Sequence, residues 1–153
     1  MASPAIRAAV AGDADELTRL ARSAKASWDY PASWQREWEP VLSFSTEYIA
    51  REEVFVAEAQ GKLVGVVAMQ EAASGPEIDH LWISPESQGR GIGRALLGRA
   101  IEVAERRGWK ELRIESDPNA QAFYEHMGAI KVGDVDAPVA GVARTLPVLR
   151  LSI

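Results

Sequence analysis

The stretch Gln88-Gly89-Arg90-Gly91-Ile92-Gly93 constrains the fold more than any other part of the chain. It follows an apolar run, Leu81-Trp82-Ile83, that stops at Ser84-Pro85, and it precedes a segment of helical period. Ile92, Leu96, Leu97, Ala100, Ile101 and Ala104 recur on one stripe. Arg106 and Arg107 suit the negative end of a helix dipole, and Gly108 suits its C-cap. This spacing predicts a strand over 77–83, a helix over 91–107 and a further strand over 111–116. Together they make a β-α-β unit with parallel strands. Glycine permits positive φ and close approach of a ligand to the main chain. The first turn of a helix carries amides that no helical carbonyl reaches, and its dipole favours an anion. The turn therefore reads as a receptor for a phosphate or pyrophosphate, with Arg90 and Arg94 as additional donors.

The flanking sequence supplies the remaining elements. Residues 6–10 form a short strand. Asp13 stands three residues before Glu16, a capping-box spacing, and Leu17, Leu20, Ala21 and Ala24 continue as an amphipathic helix to about 26. Pro31 and Pro40 break the stretch 27–45 into a loop with a short helix, and a second helix covers 46–51. Strands over 54–59 and 62–70 join at Gln60-Gly61 as an antiparallel hairpin, and 72–76 form a loop. Asp117-Pro118 opens a helix that ends at Gly128, and strands over 129–133 and 144–152 close the chain. The expected architecture is α/β, a mixed central sheet with helices on both faces, in a single domain over 1–153.

Composition removes whole classes of chemistry. The chain has no cysteine, which excludes disulfides, thiolate catalysis and cysteine-bound zinc. Two separated histidines, His80 and His126, do not make a metal site, so no metal is expected. A net charge of −5 argues against nucleic acid as a partner. No apolar run reaches the ~20 residues that span a bilayer. Met1-Ala2-Ser3-Pro4-Ala5 has neither the basic region nor the apolar core of a leader. A cytoplasmic location without membrane attachment is the resulting expectation.

Two familiar phosphate-binding loops fail on spacing. A Walker loop requires Gly-Lys-Ser/Thr, which is absent. A dinucleotide fingerprint counted from Gly89 or Gly91 ends on Arg94 or Leu96 rather than glycine. Gln88, Gly91 and Gly93 do fill the pattern Gln/Arg-x-x-Gly-x-Gly/Ala, and Leu81-Trp82-Ile83-Ser84-Pro85 matches the strand before it. In these features the chain resembles the GNAT acetyltransferases. The resemblance implies acetyl-CoA as co-substrate. The main chain at Trp82 and Ile83 would contact its pantetheine arm, and Gln88, Gly89, Arg90, Gly91, Ile92, Gly93 and Arg94 would hold its phosphates.

A second family pattern, Asn-x-x-Ala-x-x-Leu/Phe-Tyr-x-x-x-Gly, is matched by Ala120, Phe123, Tyr124 and Gly128. The chain departs from it at Asp117, where the family has Asn, and at Ala129, where an aromatic residue is usual. Asn119, a neutral amide, is the preferred contact to the polyanionic co-substrate, and Asp117 is left to cap the helix. By resemblance Tyr124 sits near the sulfur and protonates the departing thiolate; a phenol is protonated at neutral pH. An ungapped count back from the glycine pattern places the family's catalytic glutamate at Glu77, with Asp79, His80 or water as alternative bases. Strand alternation sets Glu77, Asp79, Leu81 and Ile83 on one face and Ile78, His80 and Trp82 on the other.

The acceptor is expected to be a primary amine on a small molecule or peptide. Trp28, Tyr30, Trp34 and Trp38 crowd the loop after the first helix, and with Asp79 they suit an ammonium group. Sealing the sheet edge, or a homodimer contact, is the other reading of that aromatic cluster. The implied reaction is acetyl transfer by direct attack in a ternary complex. A non-catalytic acyl-CoA sensor and a transferase of longer acyl groups are the alternatives. The run Arg144-Thr145-Leu146-Pro147 is distinctive but suggests no role.

Overall fold

The computed structural model describes residues 4–153; Met1, Ala2 and Ser3, on which the leader expectation partly falls, lie outside the described residues. Seven strands form one sheet: β1 (Ala5–Ala8), β2 (Glu53–Ala59), β3 (Lys62–Ala72), β4 (Gly75–Ile83), β5 (Glu111–Glu115), β6 (Ile130–Asp136) and β7 (Thr145–Ser152). Their order is β1-β2-β3-β4-β5-β7-β6, and β4 and β5 are the parallel pair. Helices α1 (Ala14–Ala26), α2 (Ala32–Trp38), α3 (Thr46–Arg51), α4 (Ile92–Arg107) and α5 (Gln121–His126) complete the chain. Among the described residues no helix is long and apolar enough to cross a membrane.

The two faces of the sheet carry separate cores. On one, Leu96, Leu97, Ala100 and Val103 of α4 and Tyr124 of α5 pack on Val67, Met69, Ile78 and Leu112. On the other, Leu17, Leu20 and Ala21 of α1, with Phe44 and Ile49, pack on Val56, Val66 and Ala68. Each large side chain buried this way stabilises the fold by roughly 1.5–3 kcal/mol. Gly65 of β3 lets α4 lie this close. A Cβ there would stand 2.8 Å from Leu96 Cδ1 and 3.0 Å from Ile92 Cγ2. Gly65→Ala is therefore expected to lower stability by about 1–3 kcal/mol through overpacking, read as a fall in thermal midpoint. An unchanged midpoint would show that α4 can shift outward freely.

Three local expectations are corrected. Asp13 does not cap α1. Its carboxylate accepts from both terminal nitrogens of Arg7 (2.8 and 3.1 Å) and from the Val10 amide, because a guanidinium offers a bidentate, charge-assisted pair. Glu16, its expected partner, instead accepts from the Leu63 amide at 2.8 Å. Residues 72–76 are not all loop, since β3 and β4 stay paired to Ala72↔Gly75.

The third correction concerns alternation along β4. The register runs Ala68↔His80 and then Met69↔Ile78, so Asp79 is an extra residue in a β-bulge. Beyond it every side chain changes face. Ile78, Leu81 and Ile83 pack with α4, whereas His80 and Trp82 lie on the α1 side. Glu77, opposite Gln70, joins His80 and Trp82 rather than Leu81.

Candidate active site

Strands β4 and β5 pair only at Glu77↔Arg113 and Ile78↔Ile114. After that, β4 stays with β3 to Ile83, while β5 stays with β7 to Glu115. The sheet therefore opens between them. A groove of about 630 Å³ occupies the opening and runs from the end of α1 to α5.

Main-chain groups line one wall. The Ser84 amide donates to Val64 O at 2.9 Å, continuing the β3–β4 ladder. By alternation, Trp82 and Ser84 turn their main-chain groups to β3, and Leu81 and Ile83 turn theirs to the opening. By this alternation Leu81 joins Ile83 in turning main-chain groups to the opening, where the expectation named Trp82; all three residues line the groove. The alternation of Leu81 with Ile83 was visible in the sequence and is the signal that could have found it. Gln88 Nε2 donates to Ile83 O at 3.3 Å, so Gln88 fixes the loop to the end of β4.

The glycine loop closes one end. Gly89 and Gly91 adopt φ of +76° and +78°, which a side chain would strain, and Gly91 is the N-cap of α4. Among the described residues, the amides of Gly89, Gly91, Ile92 and Gly93 donate to no main-chain carbonyl outside the helix ladder. Gly93 is needed for space: a Cβ would meet the Phe123 ring of α5 at 3.3 Å. Gln88, Gly89, Gly91, Ile92, Gly93 and Arg94 all border the groove. Arg90 does not; it faces a separate depression with Glu86 and Lys62.

Tyr124 is buried at 6% exposure and borders the groove from α5. Burial alone pushes its phenol pKa well above the ordinary value, so it stays protonated and able to donate. Asn119 borders the groove nearby, with Nδ2 donating to Tyr30 Oη and Asp117 Oδ1, each at 3.0 Å.

Of the expected acceptor residues, Trp28 lines the groove and Tyr30, Trp34 and Asp79 do not. Trp28 borders the groove and lies 6.1 Å from the Trp82 ring. Tyr30 and Trp34 stack on each other and enclose this chain's own Arg144, which lies 5.1 and 5.8 Å from their rings. Asp79, in the bulge, accepts from Tyr48 Oη at 2.5 Å, and its Oδ2 stands 3.6 Å from His80 Nε2. His80 is buried; desolvation lowers its pKa, and its Nδ1 accepts from Trp82 Nε1 at 3.0 Å. Its acceptor nitrogen is thus occupied, which argues against His80 as the base. Glu77 accepts from Gln70 Nε2 at 2.8 Å and does not border the groove. Four residues of strand, about 13 Å, separate it from Leu81.

Sequence reasoning missed a buried charge cluster beside the groove. Asp117 caps the Asn119 amide (2.8 Å), as expected, but its carboxylate also accepts from Lys25 Nζ (2.7 Å), Tyr30 Oη (3.0 Å) and Arg144 (3.3 Å). The side chains of Lys25 and Arg144 are each 11% exposed and that of Asp117 is 6% exposed. Burial opposes ionisation of Asp117, yet its hydrogen bonds and the charge of Lys25 hold its carboxyl below the ordinary range. Desolvation draws Lys25 down, more than Asp117 restores it. No local pattern joins positions 25, 30, 117 and 144; the distinctive Arg144 was the one available signal.

The sequence profile of the acetyltransferase (GNAT) domain matches residues 30–143. An uncharacterized N-acetyltransferase of Methanocaldococcus jannaschii is 36% identical over 84 residues, covering 48% of this chain and 37% of that protein. The chain thus spans well under half the length of that relative. The GCN5-related N-acetyltransferase from Rhodopseudomonas palustris superposes with a TM-score of 0.81 at 22% identity, covering 100% of this chain and 98% of that one. The PaiA N-acetyltransferase from Thermoplasma acidophilum, solved with coenzyme A, superposes with a TM-score of 0.78 at 20% identity, covering 99% and 100%.

Proposed function

Because the chain belongs to the GNAT acetyltransferase family, we propose that it transfers the acetyl group of acetyl-CoA to a primary amine by direct attack in a ternary complex. The main support is the set of loop amides at Gly89, Gly91, Ile92 and Gly93, which donate to no main-chain carbonyl among the described residues, at one end of a groove that Tyr124 also lines. Those amides, the dipole of α4 and Arg94 suit a diphosphate. The outward main-chain groups of Leu81 and Ile83 suit the amides of a pantetheine arm, as strand addition does for a peptide. Bound acetyl-CoA would supply the activated carbonyl and a thiolate leaving group.

The residues then have separate tasks. The loop and β4 hold the thioester in place, and holding the two reactants together removes most of the entropic barrier. Tyr124 donates its phenol proton to the departing sulfur. Asn119 orients Asp117 and Tyr30 beside the groove. Trp28 and Trp82 wall the path by which the amine arrives. Glu77, set back along the strand, receives the amine proton through water rather than directly.

Binding is tested by heating the protein with and without coenzyme A. Coenzyme A at 100 times its Kd stabilises the native state by about 2.7 kcal/mol, a clear rise in thermal midpoint. Acetyl-CoA with a panel of primary amines then releases free thiol. No thermal shift at millimolar coenzyme A overturns the assignment. A shift with no thiol released on any amine would indicate a sensor rather than an enzyme.

A further inference from the structure

The groove lies where the two strands part, and it meets both faces of the sheet. On the α4 face it reaches the glycine loop and Tyr124. On the α1 face its side-chain walls are Ala24, Trp28 and Trp82, with Asn119 beside them. In the acetyl-CoA reading the co-substrate fills the first part, so the second part is what the acceptor meets.

Among the described residues no carboxylate borders the groove. The nearest acidic groups of the α1 face are engaged elsewhere. Asp117 already answers Lys25 at 2.7 Å and Arg144 at 3.3 Å, two cations to one anion. Asp79 accepts from Tyr48 Oη, and Glu77 accepts from Gln70 Nε2. Indole faces attract cations, but Nζ of this chain's own Lys25 lies 5.9 Å from the Trp28 ring and 5.8 Å from the Trp82 ring. An ammonium entering here would lose water without gaining a counter-ion.

Proton transfer points the same way. An alkylamine is an ammonium at neutral pH and must shed a proton before it attacks. The titratable side chains that do border the groove, Tyr124 and His126, belong to α5, which packs on the α4 face. A nitrogen attached to an aromatic ring shares its lone pair with the ring. Such an amine is already neutral at pH 7 and needs no base before the attack.

The walls also suit a ring. The Trp28 and Trp82 ring centroids are 6.1 Å apart and their planes are tilted by 50°, which makes a corner rather than a slot. A flat ring fits that corner against the face of one indole and the edge of the other, the arrangements aromatic pairs prefer. Asn119 has its amide nitrogen committed to Tyr30 Oη and Asp117 Oδ1, each at 3.0 Å, which leaves its carbonyl oxygen to accept an amine N–H.

We infer that the acceptor is a primary aromatic amine, bound in its neutral form with its ring against Trp28 and Trp82. This rests on the acetyl-CoA reading of the groove. In the step, the amine nitrogen bonds to the thioester carbonyl carbon and the carbon–sulfur bond breaks. The nitrogen gives up one proton to water as the new bond forms. The departing sulfur takes the Tyr124 proton, which solvent replaces. The products are an N-aryl acetamide and free coenzyme A thiol.

The test follows thiol release from acetyl-CoA by the full chain at pH 7, with aniline, benzylamine or a lysine-containing peptide as acceptor. Each rate is divided by the rate without protein, and the coenzyme A thermal shift is measured in parallel. Aniline and benzylamine each carry one ring, but only aniline is neutral. The enhancement for aniline is expected to exceed that for either ammonium by about tenfold or more, the discrimination of a site that offers an ammonium no counter-ion. Trp28→Ala is expected to raise the KM for aniline about tenfold while leaving the KM for acetyl-CoA unchanged, and Trp28→Phe to recover most of the loss. An enhancement for benzylamine or the peptide that comes within tenfold of aniline, or passes it, overturns the inference and leaves the proposed function standing. An aniline KM indifferent to Trp28→Ala also overturns it. A thermal shift with no thiol released from aniline overturns it too, and the wider amine panel then decides the proposed function. No thermal shift fails both.

Discussion

Asp117→Asn is expected to reduce the free energy of unfolding by about 3–5 kcal/mol, the loss that follows when a buried ion pair keeps only one side. Asparagine preserves the size of the side chain, so the loss reports charge rather than a cavity. Two nearly buried cations, Lys25 and Arg144, are left without their carboxylate, and α1, the end of β5 and the start of β7 lose their common tie. Against the 5–15 kcal/mol typical of a domain, this is a large fraction. Lys25→Met should cost less, because Arg144 remains as counter-ion to Asp117. Urea unfolding at neutral pH measures both, and a loss below about 1 kcal/mol for Asp117→Asn would place the cluster with ordinary surface pairs. The acid dependence has a definite sign. The folded pKa of Asp117 is depressed, so its contribution is fully present above the unfolded aspartate value of about 3.9 and fades as pH falls through the lower folded value. The gap between the natural chain and Asp117→Asn therefore closes only in strong acid.

Tyr124→Phe is expected to lower kcat by about 10²- to 10⁴-fold while leaving the KM for acetyl-CoA nearly unchanged, the pattern of a lost general acid. The substitution removes one hydroxyl from a side chain whose ring packs in the α4 core, so folding and the glycine-loop end of the groove stay as they are. Burial raises the phenol pKa, so ionisation of Tyr124 adds no alkaline limb to the rate profile below about pH 10. Steady-state thiol release measures kcat and KM together. A variant that turns over at the rate of the natural chain would remove Tyr124 from the acid role and leave solvent as the proton source.

The glycine-loop end of the groove was legible because its chemistry is local. The amides around Gly89, Gly91 and Gly93 are consecutive in the chain, and a positive-φ glycine turn entering an amphipathic helix is written in adjacent letters. The sheet order near this turn was legible for the same reason, through the hairpin at Gln60-Gly61 and the β4-α4-β5 unit. The acceptor side was not. Alternation along β4 failed at Asp79, because a bulge depends on the register with β3 and leaves no mark in the β4 sequence itself. That single residue moves Glu77 to the face of His80 and Trp82. Tyr30 and Trp34 looked free to meet a ligand because their partner Arg144 lies more than a hundred residues away.

By itself, then, the sequence determined a mixed α/β sheet, its glycine turn and a tyrosine that lines the same groove, since periodicity and backbone freedom act over a few residues. Tertiary structure decided where β4 and β5 part, which face Glu77 takes, and that Asp117 collects Lys25, Tyr30 and Arg144 rather than only capping a turn. Charges buried together must neutralise one another or titrate, and which charges meet is settled by packing between distant segments.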